Sequence, residues 1–145
     1  MVDADESLRL FEQARLQHAS GDVRAGLQLA RRALELDPEN VSAIEHVANV
    51  LVTRQHRYPE GLALIDQTIR LQPNDAGLWY AHGWCYEFAA HELRRRPTAS
   101  ELDPRGLFEV AAESFRRCLD LGADGKLADD AADLLDHVEN ALRSL

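Results

Sequence analysis

The chain has 145 residues, 46% hydrophobic and 28% charged, which is material for about one globular domain able to fold without a disulfide or a bound metal. A formal net charge of −9 argues against a nucleic-acid partner, because binding phosphates needs a cationic surface. Apolar runs of only a few residues exclude a membrane span, and the acidic opening Asp3-Ala4-Asp5-Glu6 is unlike a secretory leader, so the expected location is cytoplasmic. Cys85 and Cys118 form no metal spacing and are expected to be free thiols.

In chain order, the pattern predicts an all-α chain with helices near 5–20, 22–36, 41–54, 59–72, 75–94, 104–121 and 126–143. Asp22, Asn40, Asn74 and Asp103 stand where a side-chain oxygen caps the next helix, and Pro104 follows its cap at the first helical position. Pro38 and Pro73 cannot continue the helices before them. In the third helix Ile44, Val47, Ala48 and Leu51 keep the i, i+3, i+4, i+7 spacing of a buried stripe. The helix after Asn74 carries two stripes: Trp79, His82, Gly83 and Tyr86, and beside it Tyr80, Trp84 and Phe88. A helix apolar on every side is buried on every side or has a surface for something else. The last helix puts Leu127, Ala131, Leu134, Leu135, Val138 and Leu142 on one face and acidic residues on the other.

These helices repeat. Ala33-Leu34-Glu35-Leu36-Asp37-Pro38-Glu39-Asn40 recurs thirty-five residues later as Thr68-Ile69-Arg70-Leu71-Gln72-Pro73-Asn74-Asp75, and more faintly as Cys118-Leu119-Asp120-Leu121-Gly122-Ala123-Asp124. Each copy follows a preface with a small residue at its centre: Ala25-Gly26-Leu27, Glu60-Gly61-Leu62 and Val110-Ala111-Ala112. Trp79-x-x-His82-Gly83-x-x-Tyr86 adds the other half of a unit. This period and these small-residue slots resemble the tetratricopeptide repeat, with His82 in place of the usual leucine. Gln13 and Gln17 fit the first repeat poorly, as suits a terminal unit with one neighbour.

The resemblance implies a right-handed α–α superhelix of seven helices forming one domain over residues 1–145. Its repeats would run over about 7–40, 41–75 and 76–124, with an insertion near 91–103 and a capping helix at about 126–143. It further implies that the first helix of each pair lines a concave groove. The residues off the packing stripe there would be Phe11, Arg15 and His18, then Glu45, His46, Asn49 and Thr53, then Tyr80, Trp84, Glu87 and Phe88. Some relatives hold the acidic C-terminus of a chaperone in a clamp of basic residues and asparagines. Here those positions carry Phe11, Arg15, His46, Gly77 and Ala81, so the clamp is absent.

Catalytic constellations are missing from the sequence. The six histidines form no HxxxH or HExxH pair, so no metal is expected. Single glycines make no phosphate loop, and Cys118 falls in a slot for a small buried residue; no cofactor is expected. The expected function is a non-catalytic adaptor whose groove binds a peptide or helix of another protein, apolar or mildly basic rather than strongly acidic. The alternative is a structural protein whose groove is buried by self-association, as in a homodimer, or by a neighbouring subunit.

Overall fold

A computed structural model describes residues 2–97 and 101–145. Those residues form seven helices and no strand: α1 (Ala4–Ala19), α2 (Val23–Leu36), α3 (Val41–Thr53), α4 (Tyr58–Leu71), α5 (Ala76–Arg95), α6 (Pro104–Asp120) and α7 (Gly125–Arg143). None is long and apolar enough to cross a membrane. Within the anticipated insertion, His91 to Arg95 continue α5 as helix, while Thr98, Ala99 and Ser100 lie outside the described residues.

Short polar side chains cap five of the seven described helices, all but α4 and α7. Asp3, Asp22, Asn40 and Asp103 accept from the backbone N–H groups of Glu6, Ala25, Ala43 and Gly106 at 3.0–3.3 Å, satisfying donors that have no partner inside the helix. At α5 the cap is Asp75, accepting from the Leu78 N–H at 3.1 Å, and not Asn74. Asp75 is the thirty-five-residue counterpart of Asn40, two residues after Pro73 as Asn40 is two after Pro38, and it holds the extended cap conformation. Pro38 and Pro73 each stand two residues beyond the helix they were expected to stop. In the turn between α3 and α4, His56 lies in the left-handed region at φ 53°, a conformation uncommon for a residue other than glycine.

Consecutive helices pack as α1 on α2, α3 on α4 and α5 on α6, with α7 lying on α6. Small residues make the close approaches. A Cβ on Gly26 would sit 2.9 Å from the Ala14 carbonyl oxygen, and one on Gly83 would sit 2.9 Å from the Phe115 ring. Fully buried alanines at 14, 30, 33, 43, 48, 89, 90 and 111 continue that seam, and Ile44, Leu51, Ile65, Phe108 and Phe115 fill the space between.

Two buried polar networks tie neighbouring pairs together. The Ser7 hydroxyl donates to the Ala33 carbonyl (2.7 Å) and accepts from the Asn40 amide (2.9 Å), so the cap of α3 also anchors α1 and α2. His82, 4% exposed, occupies the slot where an apolar residue is usual. Its Nε2 donates to Asp66 Oδ1 at 2.7 Å, and its Nδ1 lies 2.7 Å from the Ser114 hydroxyl. The Tyr86 hydroxyl donates to the same Asp66 oxygen at 2.9 Å. The polar ring is accommodated because both nitrogens have partners, one from α4 and one from α6.

Candidate functional site

The first helices of the three pairs, α1, α3 and α5, line a continuous groove. One stretch of about 270 Å³ is bounded by Phe11, His18, Ser42, Glu45, His46 and Asn49. A second of about 180 Å³ is bounded by Glu45, Asn49, Gly77, Tyr80, Ala81 and Trp84. A third, of about 500 Å³ toward the α3 and α5 N-termini, adds Asp37, Glu39 and Asp75 and again includes Glu45. Glu45 therefore stands at the junction of all three. Burial pushes its carboxyl above the ordinary carboxylate range, and the neighbouring Asp75 charge adds to the shift.

The walls are aromatic at both ends. Phe11 meets the edge of His46 at 6.0 Å between centroids, His18 meets His46 at 5.0 Å, and Trp84 stacks on Phe88 at 5.7 Å. Burial, with a smaller contribution from His18, holds His46 below the usual histidine range. His18 Nδ1 and His46 Nε2 are buried with no hydrogen-bond partner among the described residues.

Of the residues expected in the groove, Phe11, His18, Glu45, His46, Asn49, Tyr80 and Trp84 line it. Phe88 supports Trp84 from behind. Arg15 is not among the lining residues and pairs with Glu12, one turn earlier on an exposed face. Thr53 is not among the lining residues and donates to the Asn49 carbonyl of its own helix at 2.8 Å. Glu87 faces α7, with its Oε1 3.0 Å from His91 Nε2 and 3.9 Å from His137 Nε2. Ser42, Gly77 and Ala81 join the lining because each sits one helical turn before an expected groove residue. Gly77 and Ala81 are two of the positions where the clamp is absent, so Ser42, one turn before Glu45, is the one of the three that the pattern did not mark.

Among the described residues lining these three stretches, none is lysine or arginine, and the carboxylates Asp37, Glu39, Glu45 and Asp75 concentrate at one end. The arginines in the last turn of α5 are engaged elsewhere: Arg94 donates to the Ser144 hydroxyl at 2.9 Å, and Arg95 pairs with Glu92 at 3.1 Å. Neither cysteine is poised for chemistry, since burial pushes the Cys85 thiol up to about 12 and raises that of Cys118.

No family model matches the chain, and no curated protein matches it in sequence. Solved structures do. The first tetratricopeptide-repeat domain of Spaghetti (RPAP3), bound to the HSP90 peptide SRMEEVD, matches with a TM-score of 0.75 at 17% identity over 98% of this chain and 97% of that one. The first such domain of human RPAP3 gives 0.71 at 17% identity over 95% and 93% of the two chains. The Yersinia enterocolitica secretion chaperone SycD, in complex with a peptide of the translocator YopD, gives 0.70 at 12% identity over 96% of each. The thirty-five-residue sequence period, the paired helices and these likenesses agree: the chain is a tetratricopeptide-repeat solenoid in fold.

Proposed function

We propose that the protein is a non-catalytic interaction module whose groove, lined by α1, α3 and α5, holds a segment of a partner protein. One observation carries the reading: a continuous open groove in which Phe11, His46, Tyr80 and Trp84 flank the half-buried carboxylate of Glu45. Rigid aromatic rings supply apolar contact area at small entropic cost, and a buried carboxylate selects for a donor or a cation opposite it. Two structural neighbours are complexes with peptides, one carrying the acidic sequence SRMEEVD. In this chain the lining is acidic and Arg15 is held by Glu12. The favoured ligand is therefore an apolar segment carrying lysine or arginine.

The test is a display selection of random peptides on the full chain, followed by titration of the enriched sequences. Apolar peptides with at least one basic residue are expected to be enriched. Their affinity should fall about thirtyfold or more in Trp84→Ala, the usual cost of truncating a central aromatic anchor. SRMEEVD should not bind. Saturable binding of SRMEEVD, or selected peptides indifferent to Trp84→Ala, would remove the proposal.

A further inference from the structure

Away from the groove, α5 and α7 bring three ligand-type side chains to one point. Glu87 Oε1 lies 3.0 Å from His91 Nε2, His91 Nε2 lies 3.1 Å from His137 Nε2, and the third side of the triangle is 3.9 Å. We infer that Glu87, His91 and His137 form a binding site for one divalent transition-metal ion of the zinc type, joining the C-terminal helix to the third helix pair.

The spacing is that of ligands around such an ion. Zinc bonds of about 2.0–2.1 Å in tetrahedral geometry place neighbouring donor atoms roughly 3.3–3.4 Å apart. The three separations bracket that value, so small side-chain adjustments suffice. Two imidazole nitrogens with one carboxylate favour zinc-class ions over magnesium or calcium, which take oxygen ligands.

The ligands are also held in place. Glu87 and His91 are one turn apart on α5, which fixes their relative position. The His91 ring is packed edge-on against the fully buried Phe108 at 4.9 Å between centroids. Glu87 is 13% exposed, whereas His137 is 59% exposed, so one direction stays open for a water molecule to complete the shell. The set is independent of the groove reading, since neither His91 nor His137 lines the groove.

Untagged full-length protein, stripped with a chelator, is titrated calorimetrically with zinc(II), and its visible absorption is followed with cobalt(II). The expected result is one ion per chain, a tetrahedral cobalt spectrum, and a melting temperature that rises with zinc and returns on chelation. His137→Gln and Glu87→Gln should each weaken zinc binding by at least about tenfold, the least that loss of a ligand is expected to cost. His137→Gln should leave the metal-free melting temperature unchanged, because that side chain is largely exposed. His18→Gln, altering the histidine pair beside the groove, should leave zinc binding intact. No uptake by the parent protein at about 100 μM zinc, uptake unaffected by His137→Gln, or uptake abolished by His18→Gln would each overturn the assignment.

Discussion

At the scale of single residues, Asp66 and Glu45 are carboxylates with opposite consequences for stability. Burial alone would raise the Asp66 carboxyl, but the hydrogen bonds from His82 and Tyr86 outweigh it and hold it below the ordinary range. Its stabilising contribution is therefore present above the ordinary carboxylate pKa of about 3.9 and is lost as pH falls through the lower folded value. Asp66→Ala leaves the nearly buried His82 ring and the Tyr86 hydroxyl without their acceptor. It should cost about 1.5–3 kcal/mol in urea unfolding at neutral pH and remove part of the acid sensitivity. Equal stability of parent and variant at pH 7 would show that the network contributes nothing. Glu45 runs the other way, because its raised value means the folded state disfavours the ionised form. That cost accrues as pH rises from the ordinary carboxylate value through the raised folded one and is complete above it, so Glu45→Gln should stabilise the free protein at neutral pH, read as a higher urea midpoint. The same substitution should weaken cationic peptides. A residue that lowers stability yet improves binding is the signature of a functional position, and a Glu45→Gln variant neutral in both assays would not fit it.

Among the aromatics, Trp79 and Trp84 differ in what holds them. Trp79 donates its Nε1–H to the Pro73 carbonyl at 2.7 Å, lies under the Arg117 guanidinium at 5.2 Å and meets His82 edge-on. Trp84 stacks on Phe88 and lines the groove. Trp84→Ala should accordingly cost about half of what Trp79→Ala costs, or less, in denaturant unfolding.

At the scale of helices, most of the architecture was legible in local chemistry. Caps such as Asp22, Asn40 and Asp103, the stops before Pro38 and Pro73, and the 3.6-residue stripes depend on neighbours along the chain, so they can be read from it. Asn74 and Asp75 can both cap by residue type alone, and the repeat register decides for Asp75, the counterpart of Asn40. Close helix contacts were legible too, through small residues at fixed slots. Gly83 faces the Phe115 ring at a distance no added carbon could tolerate without movement. Gly83→Leu should cost about 1–3 kcal/mol through overpacking, although relief of a helix-interior glycine would by itself gain up to about 1 kcal/mol. A variant that melts above the parent would mean that α5 and α6 do not pack here.

At the scale of the whole molecule, legibility falls with sequence separation. The groove residues of α1, α3 and α5 could be anticipated because a repeat fold sets which helix face is concave, and seven of the eleven residues expected there line it. Arg15 and Thr53 were lost to partners within a turn of their own helices, Glu12 and Asn49. The Glu87, His91 and His137 cluster was invisible for a different reason. A histidine-pair motif searches one helix, and this set spans α5 and a helix 46 residues further on. The same global view bears on self-association. The large apolar side chains left exposed, Leu8, Leu16, Leu71 and Val110 among them, are carried by different helices, α1, α4 and α6. Scattered residues of this kind are ordinary surface, whereas a permanent interface requires a contiguous apolar patch. The groove is contiguous but acidic at one end, and two copies meeting groove to groove would oppose Glu45 and Asp75 to like charges. With nine net negative charges per chain adding to the repulsion, the protein should sediment as a monomer from micromolar to near-millimolar concentration at physiological salt. A concentration-dependent dimer that Trp84→Ala dissociates would instead assign the groove to a second copy of the chain, and the adaptor reading would give way to the structural one.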